Sequence, residues 1–245
     1  MPVGKSVSGA VRILPWDTNF WGFRVAGWAA SKLTAPQLRR GFRWCRRNRI
    51  RCLYFCADGE DFSTQRLLQK EGFVFIDVRT EMKKKLLLPL AASSRILLRR
   101  AACKELPLLR RLASQAHDNT RFAKDPGFPP AAVRRLYSLW LAKAARKGGV
   151  QVPAGGSGRP VGYIVCEMEG KRSVKVGLIA VLPHARGRGL GRKLLLGAEH
   201  WSRHRGAREM RAVTQGLSVK ALRMYEGVGF RASRVQVWFH RWFAE

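Results

Sequence analysis

One stretch restricts the fold of this 245-residue chain more than any other: Val181–Trp201, VLPHARGRGLGRKLLLGAEHW. It begins as an apolar strand end, passes through a cluster of arginine and glycine, and becomes helical. Leu190, Leu194, Leu195, Ala198 and Trp201 then fall on one helix face. A strand that runs through a glycine turn into an amphipathic helix belongs to an α/β layer architecture. The first turn of a helix exposes unpaired N–H groups and a partial positive charge. Glycine lets a bound anion approach that backbone closely. Arg186, Arg188 and Arg192 add charge-assisted donors. The segment Arg186, Gly187, Arg188, Gly189, Leu190, Gly191 and Arg192 therefore reads as a phosphate cradle. The plainer reading is a tight turn with basic decoration. Even glycine spacing departs from G-x-G-x-x-G, and no Lys-Ser/Thr pair ends the turn, which argues against NAD and ATP motifs.

Around this turn the second half reads in order as strand RILLRRA, helix KELPLLRRLASQAH, irregular DNTRFAKDPGFPP and helix AAVRRLYSLWLAKAARK. Next come a short strand at Val150–Pro153, a VPAGGSGRPVG turn, strand PVGYIVCEME and strand KVGLIAVLP. After the glycine turn and its helix follow strand REMRAVTQ, short helix SVKALRMYEGVG and strand FRASRVQVWFHRWF. The first half repeats the tail of this order: RVAGWAA, APQLRRGFRWCRRN, RCLYFCA, STQRLLQKEGF and VFIDVRTEM. It lacks the arginine-glycine turn, and Leu68 stands where Tyr225 stands when counted back from Phe73 and Phe230. The first half reads as a degenerate, structural copy over residues 1–90, joined to residues 95–245 by a linker at Met82–Ser94.

Charge narrows the partners. Lysine and arginine outnumber acids 47 to 16, for a net charge of +31. Such a chain attracts anions: nucleic acid, acidic membrane surface or phosphate-bearing small molecules. The alternative origin is arginine-rich codon usage spread over a solvated surface. Five cysteines (Cys45, Cys52, Cys56, Cys103, Cys166) show no paired spacing, which fits a reducing compartment. No apolar stretch near the start resembles a signal peptide, and the longest aliphatic run, residues 86–92, is too short for a bilayer span. The expectation is a cytoplasmic protein without a membrane span.

The segment GLIAVLPHARGRGLGRKLL resembles the acetyl-CoA signature R/Q-x-x-G-x-G/A of the GNAT acetyltransferase superfamily, through Arg186, Gly189 and Gly191. That superfamily also has N-x-x-A-x-x-x-Y-x-x-x-G-F downstream, and Ser218, Ala221, Tyr225, Gly229 and Phe230 occupy those positions here. PWDTNFWGFRVA, NTRFAKDPGF and VTQGLSVKALRMY further resemble the dTDP-fucosamine acetyltransferase group. The resemblance implies the GNAT acyltransferase fold, a central mixed and strongly twisted sheet flanked by helices, preceded by a degenerate GNAT-like half-domain. It implies acetyl-CoA as donor and an amino sugar nucleotide as the small-molecule acceptor.

By the same resemblance Ile179, Ala180 and Val181 hold the pantetheine arm, Arg186–Arg192 hold the pyrophosphate, and Tyr225 protonates the departing thiolate. A phenol with an ordinary pKa of about 10 keeps its proton at neutral pH. The other reading of Tyr225 is a core tyrosine. Ser218 replaces the family's asparagine, and KVGLIAV lacks the glutamate many members use as a base; Glu167 and Glu169 are the substitutes in view. Arg121 could meet acceptor phosphates, with Phe122 or Phe128 against base or sugar, while Asp125 could pair with Arg121 or cap the next helix. Trp16, Asp17 and Phe20 could close over a ligand or serve as core. His200 and His204, four apart beside Glu199, read as a solvated helix face, and His184 as exposed; no metal is expected. A peptide acceptor and a non-catalytic nucleic-acid binder are the competing functions. The apolar final strand could pair across a homodimer.

Overall fold

The computed structural model describes residues 11–86, 97–154 and 158–244. The first elements are β1 (Val11–Ile13), α1 (Pro15–Trp21), β2 (Val25–Trp28), α2 (Ala35–Arg47), β3 (Cys52–Asp58), α3 (Phe62–Lys70) and β4 (Val74–Lys85). Then come β5 (Leu98–Arg100), α4 (Leu106–Ala116), α5 (Arg121–Lys124), α6 (Pro130–Arg146), β6 (Val150–Pro153), β7 (Gly162–Glu169) and β8 (Ser173–Val181). The last are α7 (Leu190–Arg203), β9 (Glu209–Gln215), α8 (Val219–Glu226) and β10 (Arg231–Trp242). No helix among the described residues is long and apolar enough to cross a membrane.

Two compact units result. The first takes the chain to Arg79 together with Lys124–Phe128 and Arg234–Glu245. Its strands run β1-β2-β3-β10. β1 is antiparallel to β2, β2 parallel to β3, and β10 antiparallel to β3 from Gln236↔Asp58 to Trp242↔Cys52. That last ladder is why the grouping does not follow a cut near residue 90: the final strand is hydrogen-bonded into the N-terminal sheet. Ala26, Leu38, Leu53, Phe55, Leu68 and Phe239 form its core. α2 buries Leu38, Gly41 and Cys45, one residue per turn. A Cβ on Gly41 would lie 2.2 Å from the Trp28 indole, so the helix can sit this close only with glycine there.

The second unit spans Thr80–Ala123 and Pro129–Ser233, with strands in the order β4-β9-β8-β7-β6-β5. β5 through β8 are antiparallel neighbours, whereas β8 and β9 are parallel, joined by α7 as a crossover. Along β7 the side chains alternate. Ile164 and Cys166 join the cluster made with Leu194, Leu195, Ala198, Tyr225 and Phe230. Tyr163, just before Ile164 and so on the opposite face, instead meets His117 at the end of α4.

The linker and the irregular segment read from the sequence need correction here, and one further helix is added. The linker does not begin at Met82: β4 continues to Lys85, Met82 is fully buried, and the Leu86 N–H donates to the Arg208 carbonyl. The triple lysine looks solvated in sequence, but an edge-to-edge strand needs only alternate side chains inside. Residues 87–94 of that linker, and 155–157 of the VPAGGSGRPVG turn, lie outside the described residues. PWDTNFW is a helix, with proline in its first turn and Gly22 at φ 79° as its left-handed cap. RFAK within the supposed irregular segment forms α5. All five cysteines are free, but Cys103 is exposed and Cys56 only half-buried, so burial of the thiols is not general.

Candidate active site

The parallel ladder between β8 and β9 stops early. It runs from Ser173↔Glu209 to Val176↔Ala212, although β8 continues to Val181 and β9 to Gln215. The cause lies on the other edge of β8. Ile164 faces Ile179 while Cys166 faces Val176, so two residues, Gly177 and Leu178, oppose Val165 alone. Such a bulge bends the strand that carries it. Beyond it, the edge of Ile179, Ala180 and Val181 turned away from β7 has no strand partner among the described residues.

That open edge leads directly into the arginine-glycine turn. Pro183–Ala185 make one 3-10 turn, and the Arg186 guanidinium Nε donates to the Val181 carbonyl at 3.0 Å, fastening the turn to the strand end. The three glycines are required for two different reasons. Gly187 and Gly189 have φ of 77° and 71°, with open space where a Cβ would stand. Gly191 instead makes room for Met224, whose sulfur would be 2.6 Å from an added Cβ. Gly189 caps α7 without a side chain, and the first bond of the helix runs from the Lys193 N–H to its carbonyl. The N–H groups of Gly187 to Arg192 have no acceptor among the described residues. Unfilled donors, no Cβ in the way and the exposed Arg186, Arg188, Arg192 and Lys193 fit a pyrophosphate. Gly189→Ala places a Cβ in the left-handed region, at a cost of about 1–2 kcal/mol. It should weaken acetyl-CoA binding about tenfold in calorimetric titration, with little change in far-UV circular dichroism.

Tyr225 lies in the last turn of α8, which Ser218 opens as a half-buried N-cap. It is 4% exposed and meets Phe230 edge-on at 5.3 Å. Its hydroxyl has no hydrogen-bond partner among the described residues. Burial, reinforced by the neighbouring Cys166, raises its pKa above the usual phenol value, so the group stays protonated at neutral pH. The Val228 and Phe230 N–H groups both donate to its carbonyl. Behind this helix end sits an ion group that the sequence hid. Lys84 Nζ donates to the Val228 carbonyl and to Glu199 Oε2, both at 2.5 Å, and Arg203 donates to Glu199 Oε1 at 2.8 Å. Glu199 is 3% exposed, so the expected solvated face of α7 is wrong at this position. Lys84, 115 residues away, is the partner that takes it inside.

The remaining candidates disperse. Arg121 lies over the Phe122 ring at 4.2 Å, and Phe122 is buried. Trp16 belongs to the first unit, half-buried and stacked on Phe20 at 5.2 Å. Asp17 is buried in the same helix. Asp125 neither pairs with Arg121 nor caps α6, whose N-cap is Pro129. Its carboxylate takes the His240 imidazole at 2.6 Å and the Trp242 indole N–H at 3.0 Å. Phe128, buried, packs against Trp21 and Trp242. Glu167 is half-buried opposite Lys175, and exposed Glu169 pairs with Arg211 at 3.7 Å. His184 is exposed; His200 and His204 face each other at 3.0 Å, and no cluster of three metal-ligating residues occurs among the described residues.

His117 is a feature the sequence reading passed over. Its Nε2 is 3.2 Å from the Tyr163 hydroxyl and its ring stacks on Tyr137 at 4.7 Å. Burial pushes its pKa down to about 4, with Asp118 opposing. A histidine depressed below its ordinary 6.5 stabilises the fold above that pH, and the contribution is lost as pH falls toward 4. Urea midpoints should therefore decline between pH 6.5 and 4, and less steeply in His117→Gln.

Residues 113–230 match the Acetyltransferase (GNAT) family. A dTDP-fucosamine acetyltransferase from Escherichia coli O6:H1 is 30% identical over 140 residues, which cover 56% of this chain and 59% of that protein. The match thus spans less than two thirds of that relative's length. Among solved structures, the GCN5-related N-acetyltransferase from Sphaerobacter thermophilus superposes with a TM-score of 0.66 at 17% identity, over 95% of this chain and 76% of that one. A tandem GNAT protein from the clavulanic acid biosynthesis pathway gives 0.61 at 15% identity, over 100% and 82%. The fold is the GNAT fold, a mixed sheet flanked by helices.

Proposed function

We propose that the chain transfers the acetyl group of acetyl-CoA to a primary amine, the 4-amino group of a dTDP-linked amino-dideoxy sugar. The observation that carries the reading is the open edge of β8 running into an uncapped helix mouth. Acetyl-CoA supplies an acyl group activated as a thioester. The N–H groups of Gly187 to Arg192 would bind its pyrophosphate, with Arg188, Arg192 and the free guanidinium nitrogens of Arg186 balancing the charge. The unpaired backbone of Ile179–Val181 would hold the pantetheine amides, and Ser218 would offer a hydroxyl nearby. Tyr225 holds a proton at Oη and delivers it to the sulfur as the thiolate leaves. The amine proton goes to solvent, since the strand residues in view supply no placed base.

The acceptor is taken from the E. coli relative, a dTDP-fucosamine acetyltransferase. Arg121 would stand by the nucleotide phosphates, with Phe122 supporting its guanidinium. We read residues 1–90 as a degenerate copy and 95–245 as the acting domain. The similarity of fold to a tandem GNAT protein supports this. The test is release of coenzyme A thiol from acetyl-CoA by purified protein, with and without a dTDP-4-amino-4,6-dideoxyhexose. Saturable release dependent on the sugar nucleotide is expected. Acetyl-CoA binding without such release removes the acceptor and brings peptides forward; no acetyl-CoA binding removes the enzyme reading.

A further inference from the structure

Residues 18–57 contain no aspartate or glutamate. Within them α2 carries all its charge as arginine: Arg39, Arg40, Arg43, Arg46 and Arg47, with Arg49 at the exit in a left-handed turn of φ 51°. Every one of the six is exposed. None of their side chains has a hydrogen bond or ion pair among the described residues. Four acids elsewhere in this unit are engaged apart from them: Asp58 pairs with Arg234, Asp61 caps α3, Asp77 holds Lys124 and Asp125 holds His240. Positions 39, 43 and 46, with 40 and 47 beside them, lie on one side of the helix, opposite buried Leu38, Gly41 and Cys45. Nine residues of helix place these five guanidinium groups along about 12 Å.

We propose that the arginine face of α2 is a docking surface for the phosphate backbone of nucleic acid, separate from the acetyl-transfer site. Charge complementarity selects the occupant. A duplex presents one negative charge per about 1.7 Å of axis, so several phosphates fall within reach of this row. Guanidinium groups pair with phosphate oxygens bidentately, which ammonium groups do not. An interfacial membrane helix needs a free apolar face to insert. α2 has none to give, because its apolar side is consumed by Leu38, Cys45 and the core beneath. Guanidinium contacts to phosphate carry no base information, so the proposed recognition is of the backbone and independent of sequence.

The full chain is titrated with fluorescein-labelled duplex DNA and duplex RNA of one sequence, over a series of salt concentrations. Two variants are compared. One replaces Arg39, Arg40, Arg43, Arg46 and Arg47 by glutamine. The other replaces five exposed cations elsewhere (Lys104, Lys143, Arg146, Lys171 and Arg208), so that both lose equal charge. The first variant should bind at least tenfold more weakly, with a salt slope reduced by about 4 for DNA, while the second changes little. Circular dichroism and acetyl-CoA affinity should be unchanged in both, which separates this result from any failure of the acetyl-transfer reading. Comparable loss in the two variants would mean diffuse charge and overturn the proposal. Absence of binding to either duplex overturns it, as does binding confined to phosphatidylserine vesicles. Preference for one duplex identifies which nucleic acid supplies the phosphates and upholds it.

Discussion

Tyr225→Phe is expected to lower kcat for acetyl transfer at least 100-fold while acetyl-CoA affinity stays within about threefold, since a positioned general acid contributes about 10² to 10⁴. The change deletes one oxygen and nothing else. That hydroxyl has no hydrogen-bond partner among the described residues, and the ring stays packed against Phe230. The fold therefore loses no satisfied polar contact, and the melting temperature should hold or rise slightly. A structural tyrosine behaves differently, changing stability but not kcat. Rate against pH adds a second readout. Burial holds the phenol above its usual pKa, so under the proposed mechanism the alkaline limb of the native chain should lie above the usual phenol range. The Phe variant should have no such limb. Native activity in Tyr225→Phe would remove the general acid from the mechanism.

Asp125→Ala should destabilise the protein by about 3–5 kcal/mol, as breaking one side of a buried charged pair does. Asp125 is 3% exposed and His240 is fully buried. The carboxylate accepts from His240, from the Trp242 indole and from the Gly127 N–H at 2.9 Å. Its removal strands three donors at once. Space is equally tight: a Cβ on Gly127 would lie 2.2 Å from the Trp242 ring. Burial alone raises the carboxyl pKa. The bonds from His240, Gly127 and Trp242 and the charge of His240 outweigh that and leave it below 3.8. A folded pKa below the unfolded one stabilises at higher pH. The contribution is present above about pH 4 and is lost as pH falls through the depressed value. Denaturant midpoints for the native chain and Asp125→Ala should thus lie far apart at pH 7 and converge in strong acid. Parallel curves would show that the acid is not what secures this segment.

Much of the secondary structure was legible because periodicity and turn chemistry are local. β6 and α7 show this: the Val150–Pro153 strand has the bounds expected from its sequence, and the glycine turn opens the helix at Leu190. The helix α1 was missed although Pro15 and Gly22 flank it, since seven residues with four apolar aromatic or proline positions carry no clear period. The splayed end of β8 was placed by family likeness. Its physical origin, the extra residue at Gly177–Leu178, cannot be seen in one strand alone because a bulge is a relation between two. Long-range partners were the general blind spot. Glu199 stood beside a face read as solvated, and Asp125 was read as a partner of Arg121 or a helix cap, whereas Lys84 and His240 lie against them. His117 likewise needed Tyr163 on a distant strand.

The two crossover helices that follow parallel-paired strands differ at their mouths. α7 begins at a bare glycine, but α2 begins Thr34-Ala35-Pro36-Gln37, where Pro36 has no N–H and the Thr34 N–H is already held by Gln37 Oε1 at 2.8 Å. If the halves descend from one ancestor, the first has closed its own route back. A seat for an anion there would require proline, threonine and glutamine to change together, and each single reversion would loosen the helix start before any ligand could reward it. The chain thus holds one receptive helix mouth in its second half, and selection acting one residue at a time has no graded path to a matching one in the first.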